Sequence, residues 1–168
     1  MKISQKLNDA INKQIGEELK ASNAYANMAA YFNNLGLLRL TGMFFEQSEE
    51  EREHAMKFLH YLLEVEGDVT IPAIPEVPHS FDSVKAAFQA ALSWEKDVTG
   101  KINHLMDLAV EAKDYASQDF LRWFVTEQVE EEATMSHLVL VAEQLEERSP
   151  LMIENHLACA DTQGRNII

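Results

Sequence analysis

With 168 residues the chain has the size of one domain, and its 46% apolar content suffices for a packed core, which excludes intrinsic disorder. Lys and Arg number 14 against 28 Asp and Glu, a formal charge of −14 that excludes nucleic acid as a partner, because phosphate backbones are bound by neutralising cations. No apolar run approaches the ~18 residues of a membrane span, the polar stretch 1–14 holds no signal-peptide core, and the single cysteine, Cys159, forms neither a disulfide framework nor a cysteine-type metal site, so the expected compartment is the cytoplasm.

Prolines divide what remains. Pro72, Pro75 and Pro78 fall close together and Pro150 is the fourth, leaving two long proline-free blocks, 1–71 and 79–149. Proline inside a helix is destabilising by ~3 kcal/mol, so each block reads as a helical hairpin. The first turns at Asn33-Asn34-Leu35-Gly36 and ends at Gly67, expected as the residue just past the helix. The second turns near Lys113-Asp114-Tyr115, and Ser149-Pro150 has the chemistry of a new helix start. The predicted helices are 5–33, 37–66, 82–111, 116–146 and 150–160, with a crossover over 67–81. The expected fold is therefore a single all-α domain over 1–168: a four-helix bundle with one long crossover and a short fifth C-terminal helix.

Helical periodicity gives each long helix one inward stripe. The first reads Ile11, Ile15, Glu18, Ser22, Tyr25, Ala29, Phe32. The second reads Leu40, Phe44, Gln47, Glu51, His54, Phe58, Tyr61, Val65. The third runs from Phe81 through Phe88, Ala91, Glu95, Val98 and Ile102 to Ala109, and the fourth from Leu121 through Phe124, Gln128, Glu131 and Met135 to Leu145.

Each stripe is interrupted mid-helix by polar groups: Glu18, Glu51 with His54, Glu95, and Gln128 with Glu131. Four inward carboxylates are each destabilising by several kcal/mol unless paired, and no Lys or Arg stands in the stripes. Protonation or a bound cation must relieve them. Spacing favours the cation, because residues three apart on a helix project from one face, as do Glu51 and His54, and Gln128 and Glu131. One constant offset carries Glu18, Glu51 and His54 onto Glu95, Gln128 and Glu131, as expected of two hairpins related by an approximate two-fold axis. It also carries Glu50 onto Glu127 and Glu53 onto Glu130. Four carboxylates balance two divalent cations. Oxygen-rich ligation with one imidazole suits iron or manganese better than structural zinc.

The segments Glu18 to Tyr25, Glu50-Glu51-Arg52-Glu53-His54, Glu95, and Trp123 to Glu131 together resemble a bacterial-type non-haem ferritin, over nearly the whole chain. The resemblance implies a ferritin-like fold and a ferroxidase centre using O2 or H2O2, with ferric mineral laid down inside a homo-oligomeric, 24-subunit cage. Glu18, Glu51 and His54 would hold the first iron, with Glu51 able to bridge. Glu95, Gln128 and Glu131 would form the second site, Gln128 contacting the oxidant. Glu50, Glu127 and Glu130, with Glu131, would form a third, giving two to three irons per subunit. Tyr25 and Trp123 match aromatic positions beside the centre. Gln128 and Glu131 stand where a symmetric centre carries Glu and His, which argues against a bacterioferritin. Arg52 occupies the position of that family's haem-ligating Met, so no haem is expected.

Other acids and imidazoles read more plainly. Glu17, off the stripe, is expected as a solvated acid; His60, His79, His104, His137 and His156 as surface or structural groups; the methionines as packing; and Cys159 as a small buried residue. The competing functions are a non-storing di-iron peroxidase of rubrerythrin type and a helical scaffold whose inward acids are protonated. The chain lacks the Cys-x-x-Cys pairs of a rubredoxin electron donor.

Overall fold

The computed structural model describes residues 3–145 and 149–162, with side chains as far as Leu157 in the last helix; the side chain of Cys159 lies outside this range. Five helices follow in order: α1 (Gln5–Asn34), α2 (Leu38–Glu64), α3 (Val84–Glu111), α4 (Tyr115–Leu145) and α5 (Pro150–Thr162). No strand occurs among the described residues. α1 packs along α2 and α3 along α4 as two hairpins; α1 also lies against α3, and α5 touches α2 and α4. The all-α, one-crossover bundle with a short fifth helix is what the proline pattern and the stripes predict. No described helix is long and apolar enough to cross a membrane.

The helices are delimited by local chemistry. Ser4 accepts from the Leu7 amide at the start of α1, and Ser83 from the Ala86 amide at the start of α3. This cap starts α3 at Val84 rather than 82. Three helix ends close in the same way, with one residue at positive φ and the next amide reaching back to a carbonyl five residues earlier. These residues are Gly36 (φ 75°), Glu66 (φ 56°) and Lys113 (φ 54°), followed by Leu37, Gly67 and Asp114. The left-handed residue after α2 is thus Glu66, and Gly67 serves a different purpose. A Cβ on Gly67 would sit 2.7 Å from Asn8 Oδ1, so glycine there lets the crossover press against α1.

That contact begins a clasp. Asn8 Oδ1 accepts from the Asp68 amide at 2.9 Å and Asn12 Oδ1 from the Thr70 amide at 2.6 Å, while both Asn amide groups donate to the Asp68 carbonyl. Further along, Asn27 donates to the Pro78 carbonyl at 3.2 Å. The crossover therefore runs back along α1, and α3 starts at the end of the bundle where α2 starts. Asn12→Ala leaves the Thr70 amide and the Asp68 carbonyl without this partner. It is expected to lower the unfolding free energy by about 2 kcal/mol, measured by urea denaturation of the metal-free protein.

The fifth helix is docked electrostatically as well as by its apolar side chains. The residue before α2, Leu37, offers no side-chain cap to its first turn. The Glu154 carboxylate of α5 fills this role, accepting from the Arg39 and Leu40 amides, an anion at the positive end of a helix dipole. Ile153 and Leu157 are buried beside it.

The apolar interior falls into two clusters. One gathers Tyr25, Phe32, Phe44, Phe88, Met135 and Leu138 with the α5 residues. The other gathers Ile11, Ile15, Phe58, Ile102, Leu121 and Phe124. Between them, at mid-height on all four long helices, lie Glu18, Glu51, His54, Glu95, Gln128 and Glu131, all buried. The bundle has a polar waist.

Candidate metal centre

α1 brings Glu18 to the waist and α2 brings Glu51 and His54, three residues apart on one face. One donor atom from each of these three buried side chains lies within 4.8 Å of the others. His54 Nδ1 is 3.5 Å from Glu51 Oε2. Glu18 Oε1 accepts from Gln14 Nε2 at 2.9 Å, whereas Glu18 Oε2 and Glu51 Oε2 are buried without a hydrogen-bond partner. Two buried carboxylate oxygens without a hydrogen-bond donor, beside one another and an imidazole, make a donor set suited to a divalent cation.

The second hairpin faces this cluster. Glu95 Oε1 accepts from the buried Tyr25 hydroxyl, and Glu95 Oε2 from Gln128 Nε2 at 3.3 Å. The same amide also reaches the Glu95 carbonyl and Thr99 Oγ1. Gln128 thus holds Glu95 in place through its nitrogen. The waist is one electrostatic unit, in which Glu51 feels the charges of both Glu95 and Glu131.

Burial drives the acidities. It holds the Glu18 and Glu51 carboxyls well above the usual range; Glu51 adds its charge to Glu18, and Glu95 and Glu131 add theirs to Glu51. Burial also raises Glu95, against the hydrogen bonds from Tyr25 and Gln128. Glu131 is pushed up to about 8 by burial and then by the charge of Glu95. Burial, then Glu95, lifts the Tyr25 hydroxyl well above its ordinary value, keeping it a donor. An interior that resists negative charge so strongly favours the neutral form of these carboxyls.

The remaining predicted residues divide. Glu50 is exposed and Glu127 half-buried; they act on each other electrostatically, and both act on Glu131. Glu130 is exposed on α4. Trp123, 39% exposed, sets its ring edge-on to His54 at 5.4 Å and carries Lys57 Nζ 3.2 Å above its face. Glu17 departs from expectation. Instead of being solvated it is half-buried and paired with Lys101 of α3 at 2.9 Å and with Lys20 at 3.7 Å. Against the upward push of partial burial, these ammonium groups hold its carboxyl below the usual value.

Sequence reasoning misses the supporting amides. Gln14 sits one turn before Glu18, and Gln47 donates to Glu50 Oε2 at 2.5 Å. Their spacings of four and three on one helix are the available signal. Thr99, which donates to Glu132 Oε1 at 2.5 Å, offers none.

A one-crossover helical bundle with carboxylates and an imidazole at mid-height is the architecture of di-iron carboxylate proteins. The Ferritin family, described as a ferritin-like domain, matches residues 8–144, and the chain belongs to it. Among similar proteins, Ferritin BfrB of Mycolicibacterium smegmatis is 37% identical over 142 residues, covering 84% of this chain and 78% of that protein. A bacterial non-heme ferritin of Bacteroides fragilis is 38% identical, over 82% of this chain and 86% of its own. A crystal structure of the open pore ferritin from the hyperthermophilic archaeon Archaeoglobus fulgidus superposes with a TM-score of 0.89 at 36% identity, covering 92% of this chain and 96% of that one.

Proposed function

We propose that this chain stores iron and oxidises it, taking Fe(II) to Fe(III) with O2 or H2O2 at the bundle waist and laying down ferric mineral inside a homo-oligomeric shell of 24 subunits. The observation that carries this reading is the buried Glu18–Glu51–His54 cluster, whose acids pair with no lysine or arginine among the described residues.

In this reading Glu18, Glu51 and His54 bind the first ferrous ion. Glu95 and Glu131 bind the second, with Gln128 holding Glu95 and facing the oxidant. Glu51 would bridge the two, a role supported by its feeling the charges of both halves. Oxidation takes one electron from each ferrous ion. Hydrogen peroxide accepts both with two protons and leaves as two waters; dioxygen accepts both with two protons and leaves as hydrogen peroxide. The carboxylates favour the more highly charged product. Tyr25 keeps its proton and fixes Glu95, while Trp123 shields His54. Glu50, Glu127 and Glu130 form a third, more exposed site through which the ferric product leaves. No haem takes part, and the protein works in the cytoplasm.

Anaerobic titration of the metal-free protein with ferrous iron tests the reading. Saturation at about two to three ions per chain is expected, with release of protons from the waist carboxyls near neutral pH. Absence of saturable binding would contradict it. Sedimentation tests the shell separately: a mass near that of a dimer contradicts the cage and favours a soluble di-iron enzyme.

A further inference from the structure

On the α1/α3 side of the bundle a cavity of about 440 Å³ opens between the two helices. Gln14 forms part of its wall and is itself only 3% exposed. Its Nε2 is the group that donates to Glu18 Oε1. Gln14 thus joins the wall of the cavity to a carboxylate of the Glu18–Glu51–His54 cluster.

The charge at this mouth is balanced. Lys13 and Lys101 balance Glu17 and Asp97 there, in a protein of net charge −14. The α2/α4 side instead brings Glu50 and Glu127 together beside Glu131. A cation is drawn to the second side and gains little at the first, whereas an uncharged molecule is indifferent to both.

Gly100 adds an independent observation. It lies within α3, where glycine is less favourable than alanine by roughly 1 kcal/mol, and it lines this cavity. A Cβ built on it meets nothing within 4 Å. Gly100 is exposed at the rim of the cavity, so no close packing demands glycine there and a large side chain at this position can lie over the opening.

We propose that this cavity, with Gln14 at its inner end, is the access path of the small uncharged oxidant, dioxygen or hydrogen peroxide, separate from the acidic side by which iron reaches the waist. The inference rests on the ferroxidase reading. Gly100→Phe and the slimmer, more adaptable Gly100→Met cover the cavity without touching Glu18, Glu51 or His54; Gly100→Ala leaves it open. Anaerobic ferrous titration is expected to be unchanged in all three. Oxidation of pre-bound ferrous iron by hydrogen peroxide, followed by stopped-flow absorbance, is expected to slow at least about tenfold in Gly100→Phe, several-fold in Gly100→Met, and not at all in Gly100→Ala. Wild-type rates in a folded Phe or Met variant overturn the proposal. So does slowed ferrous binding with unaltered oxidation of the pre-loaded protein, which would make the cavity the metal's route. Absence of ferrous binding in the wild type overturns the ferroxidase reading instead.

Discussion

Glu51→Gln is expected to slow the first phase of ferrous oxidation by at least about a hundredfold and, in the metal-free protein at pH 8, to raise the unfolding temperature. Both effects follow from the position of Glu51. Burial makes its charge unfavourable, and Glu95 and Glu131 oppose that charge further; Glu18 is in turn raised by Glu51. Glutamine has nearly the same volume, so the packing against His54 survives while the penalty for burying an ionisable carboxyl at pH 8 disappears. The stability gain is on the order of 1–3 kcal/mol. On the proposed function, the same exchange removes an anionic ligand shared by the two iron positions. Stopped-flow oxidation and thermal melts of the two proteins check the pair of outcomes. A variant that oxidises iron at the wild-type rate refutes the assignment of Glu51, and one that is less stable without metal refutes the account of its burial.

The second large effect is a pH dependence. A carboxyl whose folded-state pKa is raised is protonated in both states below about pH 4.5 and contributes no penalty there. As pH rises, the unfolded chain ionises first, and stability falls until the folded group ionises too. For Glu131 this window runs from the ordinary 4.5 to about 8, which corresponds to a loss on the order of 4 kcal/mol. Glu18, Glu51 and Glu95 are shifted in the same direction. The metal-free protein is therefore expected to melt at a markedly lower temperature at pH 8 than at pH 5. A redox-inert divalent cation at pH 8 should restore much of the difference by binding the folded state alone. Calorimetry at the two pH values, with and without zinc, measures this. A metal-free protein that is more stable at pH 8 would show that the waist carboxyls ionise without penalty in the folded state.

Much of this architecture is legible in the amino-acid sequence alone. Every polar residue singled out on the stripes, from Glu18 to Glu131, is buried at the waist, because a three-and-four rhythm fixes the face of a helix independently of what it packs against. The constant offset between the hairpins indicates which residues of α3 and α4 face those of α1 and α2. What the sequence does not disclose depends on how the helices are placed against one another. The pairing of Glu17 with Lys101 requires α1 to lie on α3. The capping of α2 by Glu154 requires α5 to fold back across the chain. The clasp of Asn8 and Asn12 on the crossover requires the crossover to run along α1. The helix end at Glu66 is hidden for a different reason: Gly67 is the residue that helix-end statistics favour, and here it is committed to the close approach of Asn8. Gln14 stands in plain view one turn from Glu18, but an amide on an apolar helix face does not declare itself until its acceptor is seen.

If the inward acids exist to hold iron, crystals soaked anaerobically in ferrous salt must carry it at the waist, and diffraction at the iron absorption edge locates it. One anomalous peak is expected among Glu18, Glu51 and His54 and a second beside Glu95 and Glu131, with Glu51 reaching towards both. A waist free of anomalous density in iron-soaked crystals, with its carboxyls still protonated and bonded only to protein, would contradict that role.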